Sequence, residues 1–128
     1  MIESTFTRSI LKGLPPEIYK WKVQNVDQNG VPDCYLSGTH NDLWMEVKYI
    51  KAPKRDTTII DPTKLLSPLQ LRWLNGRHAE GRNVCVLLGS DIGHCIFQNG
   101  KWNNLVYKTS LTLTRQDVIR WITRQTLG

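Results

Sequence analysis

Between Leu43 and Ile50 the chain reads Leu-Trp-Met-Glu-Val-Lys-Tyr-Ile, an apolar, strand-forming run broken by Glu46 and Lys48. Charge left unpaired inside such a run is costly, so any fold built on it must supply both side chains with partners. Upstream, Cys34 to Ser37 reads as a second strand, and Gly38-Thr39-His40-Asn41 separates the two. If that separator is a hairpin loop, Ser37 faces Asp42, Tyr35 faces Trp44 and, continuing outward, Asp33 faces Glu46. Directly opposed residues of an antiparallel pair hold their side chains about 5 Å apart on one face. Alternation places Lys48 on that same face and sends Leu43, Met45, Val47 and Tyr49 to the other, into a core.

Two carboxylates held that close repel unless a proton or a cation lies between them. A hard divalent ion suits the gap, and Mg²⁺ commonly takes one or two carboxylates together with waters and phosphate oxygens. With Lys48 alongside, the grouping fits phosphodiester hydrolysis. A metal polarises the phosphate and lowers the pKa of the attacking water. A lysine offers positive charge where negative charge develops. The bland alternative is a surface hairpin whose charges are simply solvated.

The rest of the chain supplies the frame. Glu3 to Leu14 has helical spacing of Phe6, Ile10, Leu11 and Leu14, and Pro15-Pro16 ends it. Ile18 to Gln24 alternates Tyr19, Trp21 and Val23 with Lys20, Lys22 and Gln24, the pattern of a half-buried strand. A turn is expected over Asp27 to Gly30. Ala52 to Leu66 is a long basic connection with little periodicity, a type of segment that is often functional or mobile. Ser67 to Glu80 reads as a helix, Asn83 to Leu88 as a central strand, and His94 to Gln98 as a further strand before a turn at Asn99-Gly100. Thr114 to Gln125 reads as a last helix, N-capped by Thr114 with Asp117 following. The order is α-β-β-β-α-β-β-α. It predicts an α/β fold, one central mixed β-sheet flanked by helices, with residues 1–128 as a single domain.

The chain carries 17 basic and 11 acidic residues, a net charge of +6, which favours a polyanionic partner. The alternative is a merely basic domain. Cys34, Cys85 and Cys95 show no paired spacing and fit neither a disulfide framework nor a structural zinc site. No apolar run spans a bilayer. Met1-Ile2-Glu3-Ser4 lacks a secretory pattern, so the expected location is the cytoplasm, that of a host cell if a phage encodes the protein.

These residues, in this order, resemble the PD-(D/E)xK nuclease superfamily, with Pro32-Asp33 and Glu46-Val47-Lys48 as its signature. The nearest branches are the VRR-NUC domains and the archaeal-type Holliday junction resolvases. The resemblance runs from Glu3 to about Ser90 and takes in Leu66-Ser67-Pro68-Leu69-Gln70 and Gly81. It implies a restriction-endonuclease-like core and a Mg²⁺-dependent DNA endonuclease, with Mn²⁺ able to substitute. It implies metal binding by Asp33, Glu46 and the Val47 carbonyl, with Glu3 joining directly or through water. It implies catalytic roles for Asp33, Glu46, Lys48 and Gln70. Gln70 has a second reading, since Ser67, Pro68 and Gln70 also form a capping box.

Lys20, Lys22, Lys51, Lys54, Arg55, Lys64 and Arg72 are the candidate phosphate contacts. Trp44 shares the face of Glu46 and is placed to wall the site or stack on DNA. Trp21, Trp73 and Trp121 are expected in the core or an interface. No sequence-reading module fits beside the core, so branched DNA cut by a homodimer is the favoured expectation. Three alternatives stay open: a flap or single-strand nuclease, an inactive DNA-binding module of the same fold, and a basic protein-interaction domain.

Overall fold

The computed structural model describes residues 1–23 and 29–128. The elements run α1 (Glu3–Gly13), β1 (Tyr19–Lys22), β2 (Cys34–Ser37), β3 (Asp42–Ile50), β4 (Ile59–Ile60), α2 (Pro62–Leu65), α3 (Pro68–Ala79), β5 (Val84–Ser90), β6 (Cys95–Gln98), β7 (Val106–Tyr107) and α4 (Arg115–Leu127). Short 3₁₀ turns at Lys101–Asn103 and Lys108–Ser110 flank β7. Gln24, Asp27 and Gln28, within the expected first strand and turn, lie outside the described residues.

The main sheet has five strands in the order β1-β2-β3-β5-β6. β1, β2 and β3 form an antiparallel meander. β3 and β5 are parallel, so the chain between them crosses over one face and carries α2 and α3. β6 closes the far edge antiparallel to β5. This is the mixed sheet flanked by helices that the alternation of patterns predicts.

Each face of the sheet buries its own core. Phe6, Ile10 and Leu14 of α1 and Val118, Ile119 and Ile122 of α4 pack on Cys34, Leu36, Leu43, Met45, Val47, Cys85 and Leu87. On the other face Leu74 of α3, Leu66, Trp102 and Leu111 pack on Val84, Val86, Leu88 and Phe97, with Trp44 at the margin. The helix ends follow local chemistry. Ser67 and Gln70 form a reciprocal capping box at α3, as do Thr114 and Asp117 at α4. Cys34, Cys85 and Cys95 are free thiols. Among the described residues no helix is long and apolar enough to cross a membrane.

Three expectations need correction. The connection from Ala52 to Leu66 is not without elements: it holds β4 and α2, and β4 pairs with β7 in a separate two-stranded sheet. That pairing joins segments distant in sequence, so local periodicity does not reveal it. β1 is not half-buried through its aromatics: it is the sheet edge, and Tyr19 and Trp21 are exposed. The fully buried tryptophan is instead Trp102, in a 3₁₀ turn, where its Nε1 donates to Asn75 Oδ1 at 2.8 Å.

Candidate active site

The hairpin register is the expected one. Ser37 pairs with Asp42, Tyr35 with Trp44 and Cys34 with Met45, so Asp33 comes next, opposite Glu46. β2 stops at Cys34 while β3 continues to Ile50. The N–H groups of Val47 and Tyr49, two residues apart, therefore point off an edge that no strand covers. Carboxylates take both. Asp33 Oδ2 accepts from Val47 N at 3.0 Å, and Glu3 Oε1 accepts from Tyr49 N at 3.1 Å. A strand residue's C=O points the same way as its N–H when it pairs across an antiparallel ladder. The Val47 carbonyl thus leaves β3 on the side where Asp33 sits.

Glu46 faces the other way from the Val47 side chain, beneath α3. It is buried, with only 1% of its surface exposed, which excludes the solvated surface hairpin. Its Oε2 accepts from Gln70 Nε2 at 3.0 Å and lies 3.5 Å from Lys48 Nζ. Its Oε1 is buried and has no hydrogen-bond partner, the one such side-chain atom among the described residues. Burial first, and then the charge of Asp33, push the Glu46 carboxyl up to about 8 against the pull of Lys48. Burial also raises Asp33, offset by the Val47 N–H and by Lys48. Two acids raised in this way accept a proton readily and hold a cation in its place when one is offered.

Gly30 explains how Asp33 is delivered. Its φ is +73°, and a Cβ there would run into the Leu69 carbonyl and the Gln70 backbone. The turn carrying Asp33 is thereby seated on the first turn of α3, the turn that carries Gln70. Pro32 beside it is buried and offers no N–H to extend the ladder. Gln70 completes the expected capping box, its Oε1 accepting from Ser67 N at 2.9 Å, and its Nε2 at the same time donates to Glu46 Oε2.

Asp33, Glu46, Lys48 and Gln70 are therefore together. Glu3 stands beside them, held by Tyr49 and close enough to Lys48 and Asp33 for their charges to act on it. Among the described residues no three His, Cys, Asp or Glu side chains converge on a metal position. An ion here would rest on the Asp33 and Glu46 pair with backbone and solvent oxygens. The unpartnered Glu46 Oε1 fits that role, because a buried carboxylate oxygen without a donor is satisfied by a cation.

The basic residues divide by face. Lys64 on α2 and Arg72 on α3 are exposed on the side of the sheet that covers Glu46. Lys51, Lys54 and Arg55 are exposed between β3 and β4. Lys20 and Lys22 pair with Leu36 and Cys34, whose side chains enter the α1–α4 core, so they project from the opposite face. Lys20 Nζ donates to the carbonyls of Pro15 and Ile18. What the sequence reading missed is a row of aromatics. Trp21, Tyr35 and Trp44 are successive cross-strand partners. The signal was the Tyr19-Lys20-Trp21-Lys22 alternation, which does not say whether its aromatic face is covered.

A mixed sheet covered by helices on both faces, with an acid pair and a lysine where β2 leaves β3, is a restriction-endonuclease-like α/β fold. The fold is shared with a solved structure of Archaeoglobus fulgidus Hjc, a Holliday junction resolvase from an archaeal hyperthermophile. The TM-score is 0.58 at 17% identity, over 91% of this chain and 98% of that one. No family model matches the chain, and no curated protein matches it.

Proposed function

We propose that the protein is a Mg²⁺-dependent endodeoxyribonuclease that cuts branched DNA, in the manner of a Holliday junction resolvase. The observation that carries the reading is Glu46 Oε1: a buried, unpartnered carboxylate oxygen, with Lys48 3.5 Å from its sister oxygen. A purely structural acid at this depth would have its lone pairs filled. The fold shared with a junction resolvase and the net charge of +6 support the same reading.

Asp33, Glu46 and the Val47 carbonyl would hold the ion, which when bound supplies phosphate polarisation and a water of lowered pKa. The chain's own residues do the remainder. Gln70 fixes the rotamer of Glu46 from the rigid first turn of α3. Lys48 holds positive charge beside the acid pair, where the pentavalent phosphate gains negative charge. Lys64 and Arg72, on the same side, meet the DNA backbone. The intact set of Asp33, Glu46 and Lys48 stands against an inactive binding module and against a chance motif in an interaction domain.

A four-way junction needs two symmetric cuts, so this reading carries a two-fold dimer. The VRR-NUC-like alternative, a flap or single-strand nuclease, keeps the same site with a different substrate. The test is cleavage in Mg²⁺ of an end-labelled immobile four-way junction beside a linear duplex of matching sequence. Paired symmetric cuts in the junction alone are the expected result. Cutting of flaps or single strands without junction preference would select the alternative. No cutting in Mg²⁺ or Mn²⁺ by the native protein, alongside tight DNA binding, would overturn the enzyme reading. Sedimentation at 14.8 kDa with and without junction DNA would remove the dimer.

A further inference from the structure

On the face of the sheet that bears Glu46, toward the loop between β2 and β3, lies a cleft of about 550 Å³ lined by Tyr19, Trp21, Tyr35, Trp44, Asp42 and Arg82, among others. It is built by register. Trp21 pairs with Tyr35 and Tyr35 with Trp44, so three rings cross three strands in one row on the face of Glu46. The Tyr35 and Trp44 rings are 4.7 Å apart and tilted, and Tyr19 meets Tyr35 edge-on at 6.4 Å. Trp44 is itself braced from behind by Trp73 at 5.3 Å. The outer end is open: Trp21 is 46% exposed and Tyr19 60% exposed. Large rings left uncovered on an edge strand are unusual for a soluble domain and mark a contact surface. Trp44 precedes Glu46 by two strand positions, which places the row about 7 Å from the acid pair.

We propose that this cleft receives an unpaired nucleobase from the strand being cut, stacked on Trp21 and Tyr35. The placement of that base relative to the cut rests on the nuclease reading above. The lining favours a base over a phosphate. Asp42 contributes an exposed carboxylate to the lining, accepting from Ser37 Oγ at 2.6 Å, which repels a phosphate and suits an exocyclic amine. Arg82 is exposed at the rim, where a backbone phosphate would pass. The volume is that of a small-molecule site, and every base offers a face for stacking on an aromatic side chain. A nuclease acting where strands branch meets bases out of the stack, which gives the row its substrate.

The test is equilibrium binding, in EDTA, of a fluorescein-labelled hairpin duplex bearing an oligodeoxycytidine tail, against the same duplex with a blunt end. Native protein is expected to prefer the tailed duplex. Trp21→Ala is expected to weaken the tailed duplex by roughly ten-fold with little change for the blunt one, and Trp21→Phe to restore most of the difference. Tryptophan fluorescence should be quenched by the tail in the native protein and less so in Trp21→Ala. Equal binding of both duplexes by native protein, or an equal effect of Trp21→Ala on both, would overturn the proposal. Self-association lost in Trp21→Ala with tail binding intact would overturn it too, making the row an interface between copies. Cleavage plays no part in these readouts, so failure of the nuclease reading shows separately, as absence of cutting.

Discussion

The amide of Gln70 is divided between two partners: Nε2 donates to the buried Glu46 carboxylate at 3.0 Å, while Oε1 accepts from Ser67 N at 2.9 Å. The start of α3 and the orientation of Glu46 are thus one hydrogen-bonded unit. A helix cap that also holds this buried acid ties the stability of the helix start to the geometry of the candidate site. The two can be separated by substitution.

Gln70→Ala removes both bonds. The expected loss of stability is about 1–2 kcal/mol, read as a lower thermal midpoint, together with loss of DNA cleavage. Gln70→Glu keeps the acceptor that closes the cap but sets a second carboxylate against Glu46. It is expected to hold the helix start while lowering cleavage and metal affinity, measured by calorimetric titration with Mn²⁺. Full activity in Gln70→Glu would remove Gln70 from the positioning of Glu46.

Glu46 yields a pH prediction whose sign follows from its surroundings. Its folded pKa, pushed up to about 8, exceeds the ordinary value of 4.5. The folded chain therefore binds this proton more tightly than the unfolded chain. The proton's contribution to stability is full below pH 4.5 and is lost as pH rises through about 8, on the order of 5 kcal/mol across the window. Metal-free protein should melt at a lower temperature at pH 9 than at pH 6. Glu46→Gln should flatten that slope and abolish cleavage, because a neutral amide still accepts from Gln70 and carries no charge to lose. Mg²⁺ should raise the native midpoint most at high pH, where it no longer competes with the proton. An unchanged pH slope in Glu46→Gln would place the titration elsewhere.

Gly30 is expected to tolerate no side chain. Gly30→Ala combines an unfavourable positive φ with a collision against the Leu69 carbonyl, so a loss above about 1 kcal/mol is expected. Denaturant unfolding measures it. Activity should fall further than stability, since the displaced turn carries Asp33.

The division of the lysines by face predicts unequal roles in DNA binding. Lys64→Ala and Arg72→Ala should each weaken binding without changing preference and reduce the salt slope by about 0.9 per lost phosphate contact. Lys20→Ala should leave that slope unchanged, because its ammonium is held by Pro15 and Ile18 on the opposite face. Anisotropy titrations over a range of salt would show it. A reduced slope in Lys20→Ala would mean that DNA wraps the β1 edge.

Much of the candidate site was legible in the chain because its rules are local. A two-residue period and a short loop between Ser37 and Asp42 set the register that brings Asp33 opposite Glu46. The caps at Ser67 and Thr114 follow from side chains reaching donors three residues away. Even the alternation that puts Lys48 and Trp44 with Glu46 needs nothing beyond the pleat.

What lay beyond the sequence was which surfaces meet. Alternation separates the two faces of β3 but does not say that α3 seals the one bearing Glu46, because that contact joins residues 24 apart. Glu3 reaches Tyr49 across 46 residues. The β4–β7 pairing and the burial of Trp102 arise from segments that meet only once the main sheet exists. The Tyr19-Lys20-Trp21-Lys22 run reads the same in a central strand or an edge strand. Only the sheet order, with β1 outermost, leaves its aromatic face uncovered. Side-chain period is a property of one segment, whereas burial depends on what packs against it, and the tertiary structure alone supplies that second surface.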